Sequence, residues 1–205
     1  GDTDVIFLKG IGQKHQGLEV EGSMKLNDMI RLDGAVSFGK WKFDGDADGL
    51  YTEYAEDAPI QTPYTYTLDG LYVGDQPQTA YVLGTTLTPM DGFRLQGIFK
   101  MYDKNYADWS PDSRELSGDA DRTQVWQAPG YNRLDLHASY KLPKVAGYDM
   151  TLTGHVFNAL DAVYVQDAVD NSQYNGYGDK LHLPHNAEVF LGTPRYFNLG
   201  LTVNF

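Results

Sequence analysis

Strict alternation of apolar and polar residues recurs along the chain in seven segments. A period of two places successive side chains on opposite faces of a strand, so each segment is predicted to be a β-strand with one apolar and one polar face. In the last segment the apolar positions are Phe197, Leu199, Leu201, Val203 and Phe205. The segments lie at 18–26, 30–38, 80–88, 93–102, 133–142, 150–156 and 196–205. An eighth stretch, residues 5–8, is apolar without alternation and is a candidate for the end of a preceding strand.

The connections between these segments alternate between short and long. Short connections follow the first, third and fifth segments, and long ones run roughly over residues 44–77, 105–130 and 161–188. Short turns at one end and long loops at the other are typical of bacterial outer-membrane barrels, whose strands need roughly 9 to 11 residues to cross the bilayer. The pattern therefore predicts an all-β fold, an antiparallel up-and-down transmembrane β-barrel wall of seven or eight strands. It predicts no domain boundary within residues 1–205.

Two other structures fit parts of the pattern. A soluble β-sandwich that binds carbohydrate through its aromatic residues would also show alternation, although its strands are usually about 5 or 6 residues long. A complete small outer-membrane barrel, serving as an adhesin or structural protein, would need residues 5–8 as a true eighth strand.

Composition narrows the function classes. No run of apolar residues approaches the roughly 18 that a transmembrane helix needs. The chain has no cysteine, which excludes disulfide frameworks and thiolate metal sites, and its net charge of −12 argues against a nucleic-acid partner. The first residues lack the pattern of a signal peptide, so an exported chain of this kind is either a mature chain or a fragment, and we expect Gly1 to lie inside a larger protein.

Five stretches of the chain together resemble one family. They are residues 12–19, 73–79, 103–108, 156–161 with Tyr164 following, and 192–205. In this order and spacing they resemble the C-terminal barrel of TonB-dependent outer-membrane receptors, particularly those of Bacteroidota. The resemblance covers almost the whole chain.

This resemblance implies that the chain is the C-terminal third of a roughly 22-stranded barrel whose lumen holds a plug domain. Neither the plug nor the earlier strands are visible in the sequence, so the rest of the barrel is expected from elsewhere in the protein or from another chain. The implied function is nutrient uptake across the outer membrane, without catalysis. The implied partners are the remaining barrel and plug, TonB acting through the plug, outer-membrane lipid and the barrel assembly machinery, with a surface lipoprotein as a further candidate.

The same resemblance gives the last strand a second role. Apolar residues at every second position before a terminal aromatic residue resemble the signal that the assembly machinery reads, here Phe197, Leu199, Leu201, Val203 and Phe205. The alternative is that these residues only face lipid, and both roles are compatible.

The first long connection contains a candidate calcium site. Asp44, Asp46 and Asp48 stand at alternate positions before Gly49, as in calcium-binding loops, and Glu53 or Glu56 would complete the shell. Acidic, glycine-rich loops without bound metal are the alternative.

Two further sets of residues lie in the long connections. Loop aromatics, including Trp109, Trp126, Tyr164 and Tyr174, are candidates for substrate contact, and an equal alternative is that they stiffen the loops. His182 and His185 form a His-x-x-His pair, a weak candidate for a transition-metal site. No catalytic constellation is present in the sequence.

Overall fold

The computed structural model describes residues 4–54, 58–109, 122–144, 147–170 and 182–204. Within these ranges the regular elements are β-strands and a short 3-10 turn at Pro184–Asn186. In chain order the strands are β1 (Val5–Lys9), β2 (Gln13–Lys25), β3 (Ile30–Phe43), β4 (Ala47–Tyr54), β5 (Pro59–Tyr66), β6 (Thr79–Met90), β7 (Phe93–Asp103), β8 (Asn105–Tyr106), β9 (Gln127–Ala128), β10 (Tyr131–Lys141), β11 (Asp149–Phe157), β12 (Val165–Asp170), β13 (Ala187–Leu191) and β14 (Tyr196–Asn204).

Seven of these strands form one antiparallel sheet. Its order is β14, β11, β10, β7, β6, β3, β2, so each long strand pairs with the next long strand along the chain. This is the up-and-down order of a barrel wall. Each of the seven alternating segments corresponds to one strand of this sheet, to within one residue at its C-terminal end among the described residues, which confirms the predicted all-β antiparallel fold. We call this sheet the wall.

One face of the wall is apolar from edge to edge. The pairing places apolar or small residues of all seven strands in a single row: Met24, Leu32, Thr85, Gly97, Leu136, Val156 and Phe197. Large side chains on this face are exposed to the surroundings, Leu199 by 82% and Phe197 by 70%. A continuous exposed apolar face of this size is unusual for a protein in water and suits contact with lipid.

The short turns connect strands at one end of the wall. Between β2 and β3 the side chain of Asn27 accepts hydrogen bonds from the backbone N–H groups of Met29 and Ile30, both at 2.9 Å. Between β6 and β7 the turn needs the left-handed backbone of Gly92, with φ of +78°. Asparagine and glycine are favoured here because one bonds its own backbone and the other adopts positive φ without a steric cost.

The long connections pack together at the other end, and here the sequence prediction was incomplete. Residues 44–77 were expected to be a loop, but they contain β4 and β5, which join β1 in a separate three-stranded sheet. The strands form because β4 and β5 carry buried aromatic and small residues, Ala47, Tyr64 and Tyr66, on one face. We call residues 4–12, 44–54, 58–78, 104–109, 122–130, 158–170 and 182–195 the loop layer.

The hydrophobic core of the described chain lies in this loop layer and not in the wall. Leu68 and Leu71 are at most 1% exposed, and they share one cluster with residues from the first two long connections. Its buried members are Ala47, Tyr64, Tyr66, Leu68, Leu71, Tyr106, Trp109 and Val125. Phe43, near the end of β3, packs edge-on against Trp109 with ring centroids 5.4 Å apart. The long connections are therefore folded against each other.

The edges of the wall decide between the structural alternatives. In the described residues β1 pairs with β4, so it is not an eighth strand of the wall, and β2 and β14 have no partner on their outer sides. A complete eight-stranded barrel is therefore not formed by this part of the chain. Nor does a second sheet cover the apolar face among the described strands, as a sandwich would require.

A pair of neighbouring substitutions on β3 tests which face meets lipid. Val36 lies in an apolar row with Val20 and Tyr81, whereas Ser37 on the opposite face lies beside Glu19, whose carboxylate accepts its hydroxyl at 3.3 Å. We expect Val36→Arg to destabilise the assembled barrel by about 2–4 kcal/mol, because an arginine near the bilayer midplane must leave water. Ser37→Arg should be tolerated, with Glu19 as a counter-ion.

The measurement is the urea dependence with which the complete protein folds into lipid vesicles. The heat-dependent gel shift reports the folded fraction. Equal destabilisation by both arginines would contradict this assignment of the faces.

Candidate functional site

An ion pair connects the first two long connections. Both side-chain oxygens of Asp46 accept from the guanidinium of Arg122, at 3.1 and 2.7 Å, and Oδ1 also accepts from the backbone N–H groups of Leu68 and Asp69. The Arg122 guanidinium holds the pKa of the Asp46 carboxyl well below its usual range, and the two backbone N–H groups act in the same direction. The ionised carboxylate of Asp46 therefore uses its contacts to join segments of the loop layer.

This contact bears on the predicted calcium site. Asp48 accepts a hydrogen bond from the Thr65 hydroxyl at 3.0 Å, so it too has a partner within the loop layer. The part of the chain that the structure describes has no group of three or more His, Cys, Asp or Glu side chains arranged to hold a metal. Calcium binding by Asp44, Asp46 and Asp48 stays a prediction, and binding there would have to displace Arg122. Glu56 lies outside the described residues.

A group of carboxyls that sequence reasoning missed lies in the same layer. Partial desolvation raises the pKa of Asp75 to about 6, and the negative charges of Asp108 and Asp167 add to the shift, as does a hydrogen bond with Asp167. Burial also raises the pKa of Asp108. Asp108 is held by the backbone, donating from its N–H to Ala168 and accepting from that of Asp170. The three long connections therefore meet at closely spaced acidic groups.

The four candidate aromatics have different surroundings. Trp109 is 4% exposed within the core, and Tyr164 is 5% exposed and stacks on Tyr131 with centroids 4.3 Å apart. Trp126 is half-buried, and its carbonyl accepts from the N–H of Ala107. Tyr174 lies outside the described residues. The burial of Trp109 and Tyr164 favours the role of stiffening the loops, and substrate contact by any of the four stays a prediction.

The two histidines of the last long connection are in different settings. His182 is buried and its Nδ1 lies 2.6 Å from the carboxylate of Asp170, so the pair joins the ends of the segment between them. His185 belongs to the 3-10 turn at Pro184–Asn186. The proposed His-x-x-His metal site therefore has one member already paired with a carboxylate.

The polar face of the wall contains one buried acidic residue, Asp135 on β10. Its side chain is 3% exposed, and its Oδ2 accepts from Lys100 of β7 at 3.0 Å and from Arg133 at 3.2 Å. Its Oδ1 accepts from the backbone N–H of Asn158, the first residue after β11, at 3.0 Å. Two cations of the wall and the start of the last long connection thus share one carboxylate.

Asn158 continues this link into the loop layer. Its side chain bonds both the N–H and the carbonyl of Ala162 and also reaches the carbonyl of Thr193, so it holds the beginning and the end of the connection together. Its φ of +48° is one that asparagine adopts more readily than most residues. Arg133 meanwhile donates to the hydroxyl of Tyr164 at 3.2 Å. A Cβ at Gly192 would overlap the ring of Tyr164, which explains the glycine there.

The predicted assembly strand is β14, at the edge of the wall. Phe197, Leu199, Leu201 and Val203 lie on its apolar face, paired with Val156, Gly154, Leu152 and Met150 of β11. Phe205 lies outside the described residues. The exposed position of Phe197, Leu199 and Leu201 on the apolar face agrees with the simpler role of facing lipid. Recognition of the strand by an assembly machinery stays a prediction.

Comparison with known proteins decides the family. Residues 3–159 match the family model described as TonB dependent receptor-like, beta-barrel. The chain belongs to this family. It is a family of outer-membrane receptors and transporters, in which the barrel works together with a plug and with TonB. The Bacteroidota assignment stays a resemblance.

No curated protein matches the chain. In the described residues no helix is long and apolar enough to cross a membrane.

In this TonB-dependent receptor barrel, sequence reasoning found the right segments but not their chemistry. The alternation in the segment 133–142 puts Asp135 and His137 on its polar face, and residues 156–161 belong to the stretches that carry the family resemblance. The missing step was that Asp135 and Asn158, 23 residues apart, bond each other. One signal in the sequence pointed to this bond. The carboxylate of Asp135 lies on the polar face, and the motif at residues 156–161 begins where the next strand ends.

Asp135→Asn tests the link between the wall and the last long connection. We expect the substitution to cost about 3–5 kcal/mol of local stability, because Lys100 and Arg133 lose their shared buried carboxylate. Hydrogen exchange should become faster over residues 158–170, measured by mass spectrometry on the detergent-solubilised receptor. Asp33→Asn is the matched control, since Asp33 is more exposed and pairs with Arg31 alone, so its loss should cost less than about 1 kcal/mol. An unchanged exchange pattern in Asp135→Asn would contradict the proposed link.

Asp75 should make the loop layer sensitive to pH. Its pKa in the folded protein, about 6, lies above the usual value, so the folded form binds the extra proton. Protonation of Asp75 therefore stabilises the folded loop layer. This contribution to the free energy of unfolding is fully present below about pH 4 and is lost as pH rises through about 6. We expect protection of the Asp75 and Gln78 amides, corrected for intrinsic exchange, to fall between about pH 4.5 and pH 7.5.

Asp75→Asn should remove most of this pH dependence and leave protection high at neutral pH. Asp91→Asn, at the short turn between β6 and β7, is the control and should leave the dependence unchanged. A pH profile that is the same in Asp75→Asn as in the wild type would show that another group is responsible.

Proposed function

We propose that this chain forms the closing side of the transport barrel of an energy-coupled nutrient importer, corresponding to the C-terminal third of a roughly 22-stranded barrel. The wall separates lipid from a wet lumen, and the loop layer forms part of the surface that captures substrate outside the cell. The plug and TonB, which the family implies in general, act on this barrel from within and from the periplasm. Siderophores, cobalamin, glycans and peptides all stay open as substrates.

The observation that carries the proposal is the wall with two unpaired edges. Among the described residues neither β2 nor β14 has a partner on its outer side. An unpaired backbone group in hydrocarbon costs several kcal/mol, so seven strands cannot stand alone in a bilayer. Further strands between these edges satisfy both, and membership of the TonB-dependent receptor family supports that completion.

The placement of charge supports a transport path along the polar face. Strands β2, β3, β7 and β10 all carry charged residues on this face, for example Glu21, Arg31, Arg94 and Lys100. A row of charged side chains facing hydrocarbon would be very costly, and a water-filled lumen removes that cost. The opposite face supplies the lipid contact. The two faces thus fit a wall between bilayer and lumen.

Residues 1–205 contain no cysteine, so a single cysteine introduced here is the only one in this part of the receptor and allows a direct test of the orientation against the unsubstituted receptor. Ile60 in the loop layer is 54% exposed, and Asp91 lies in a short turn at the other end of the wall. In intact cells a large membrane-impermeant maleimide should label Ile60→Cys and should label Asp91→Cys only after the outer membrane is permeabilised. The reverse pattern, or labelling of both in intact cells, would contradict the proposed orientation.

Energy coupling is tested by growth and uptake. Deleting the gene for the receptor that contains this chain should abolish high-affinity uptake of one nutrient, and deleting TonB should abolish the same uptake. Restoring the receptor gene supplies the control. Uptake that depends on the receptor but continues without TonB would rule out this mechanism and favour a passive pore.

A further inference from the structure

A patch of polar side chains lies on the lumen face of the wall across β7, β10 and β11. Two neighbouring rows of paired positions form it, Gln96 with His137 and His155, and Arg94 with Ser139 and Thr153. These six side chains line a cavity of about 230 Å³. We call them the donor patch, because each carries or can carry an N–H or O–H group.

The donor patch contains no carboxylate, although acidic residues outnumber basic ones by 28 to 16 in the whole chain. The acidic residue closest along β10 is Asp135, two positions before His137. Its two oxygens are already occupied by Lys100, Arg133 and the backbone of Asn158. Among the described residues, the patch is therefore a positively charged region without its own counter-ion.

Arg94 supplies that charge. Its guanidinium makes no hydrogen bond or ion pair with any residue that the structure describes, and the residue is exposed on the polar face. Arg31, on the same face of β3, differs, because its guanidinium lies 2.7 Å from Asp33. On the same face of the wall, the charge of Arg31 is therefore neutralised by a carboxylate, whereas the charge of Arg94 is not.

The two histidines are placed side by side. Their Nδ1 atoms are 2.8 Å apart, so one ring donates to the other, and neither ring makes a further hydrogen bond with a described residue. A neutral pair that shares one proton in this way leaves one Nε2–H as a donor, and protonation adds another. The Thr153 hydroxyl donates to the Gly200 carbonyl at 3.3 Å, whereas the Ser139 hydroxyl has no hydrogen-bond partner among the described residues.

The row that contains the histidines extends across the wall without an acidic residue. From β2 to β14 it consists of Lys25, Arg31, Thr86, Gln96, His137, His155 and Asn198. Thr86 is 7% exposed, and its hydroxyl has no hydrogen-bond partner among the described residues. Since a buried hydroxyl is normally bonded, this row retains unused hydrogen-bonding capacity beside the donor patch.

We infer that the donor patch binds a small anion through its oxygen atoms, as a carboxylate or phosphate group of a solute in the lumen. Arg94 provides the charge, and Gln96, Ser139 and the histidine pair provide additional donors. The main competitor, a transition-metal ion on the two histidines, is disfavoured because the described residues offer no third ligand and Arg94 would repel a cation. The inference rests on the proposed function in one respect, because the plug must leave this part of the lumen open to water and small solutes.

Inorganic phosphate is a suitable probe. We expect the complete receptor in detergent, at physiological salt, to bind phosphate in calorimetry, and Arg94→Gln to weaken that binding by about tenfold or more, as loss of a charge-assisted hydrogen bond does. His137→Asn should weaken it by a smaller factor. Arg31→Gln is the matched control, since it removes the same charge from the same face but from a residue already paired with Asp33, and it should change the affinity by less than about twofold.

Three results would overturn the inference. The first is that the wild type does not bind phosphate. The second is that Arg94→Gln and Arg31→Gln weaken phosphate binding equally. The third is that the wild type binds zinc instead of phosphate and that His137→Asn abolishes the zinc binding. The heat-dependent gel shift of each variant establishes that it is folded. If the wild type is a folded outer-membrane receptor that does not bind phosphate, only this inference fails. If the protein is absent from the outer membrane, the proposed function fails.

Discussion

The backbone hydrogen bonds of the wall are the constraint on which the rest of the structure depends. In hydrocarbon no water can accept or donate to a strand, so every N–H and C=O of the wall must be bonded to a neighbouring strand. Seven strands satisfy each other inside the sheet, from β2 to β14. The two outer edges require further strands, and the chain belongs to a family of β-barrels, in which such strands are expected.

A wall of this kind cannot hold the protein's hydrophobic core, because each strand has lipid on one side and the lumen on the other. The core is instead in the loop layer, where Leu68, Leu71 and Tyr66 are almost fully buried. Long connections that pack in this way present a defined surface at one end of the barrel. Such a surface is what the proposed capture of substrate outside the cell requires.

The wall and the loop layer are connected through Asp135. Its carboxylate joins two cations of the wall and the backbone of Asn158, and Asn158 bonds both ends of the last long connection. Arg133 extends the same network to Tyr164. A change on the lumen side of β10 therefore has a short bonded path to the loop layer. On the same face, the donor patch lies one row away from this network, where the positive charge is not compensated.

The sequence by itself determined the seven wall strands, their two faces and the alternation of short and long connections. It did so because a strand between two different environments must alternate with a period of two, and that period is visible in any single chain. Only the tertiary structure decided that β1 pairs with β4, that Trp109 and Tyr164 are buried, and that Asp46 bonds Arg122. These contacts join residues 20 to 80 positions apart along the chain, roughly, and no local pattern encodes which distant residue a loop side chain will meet.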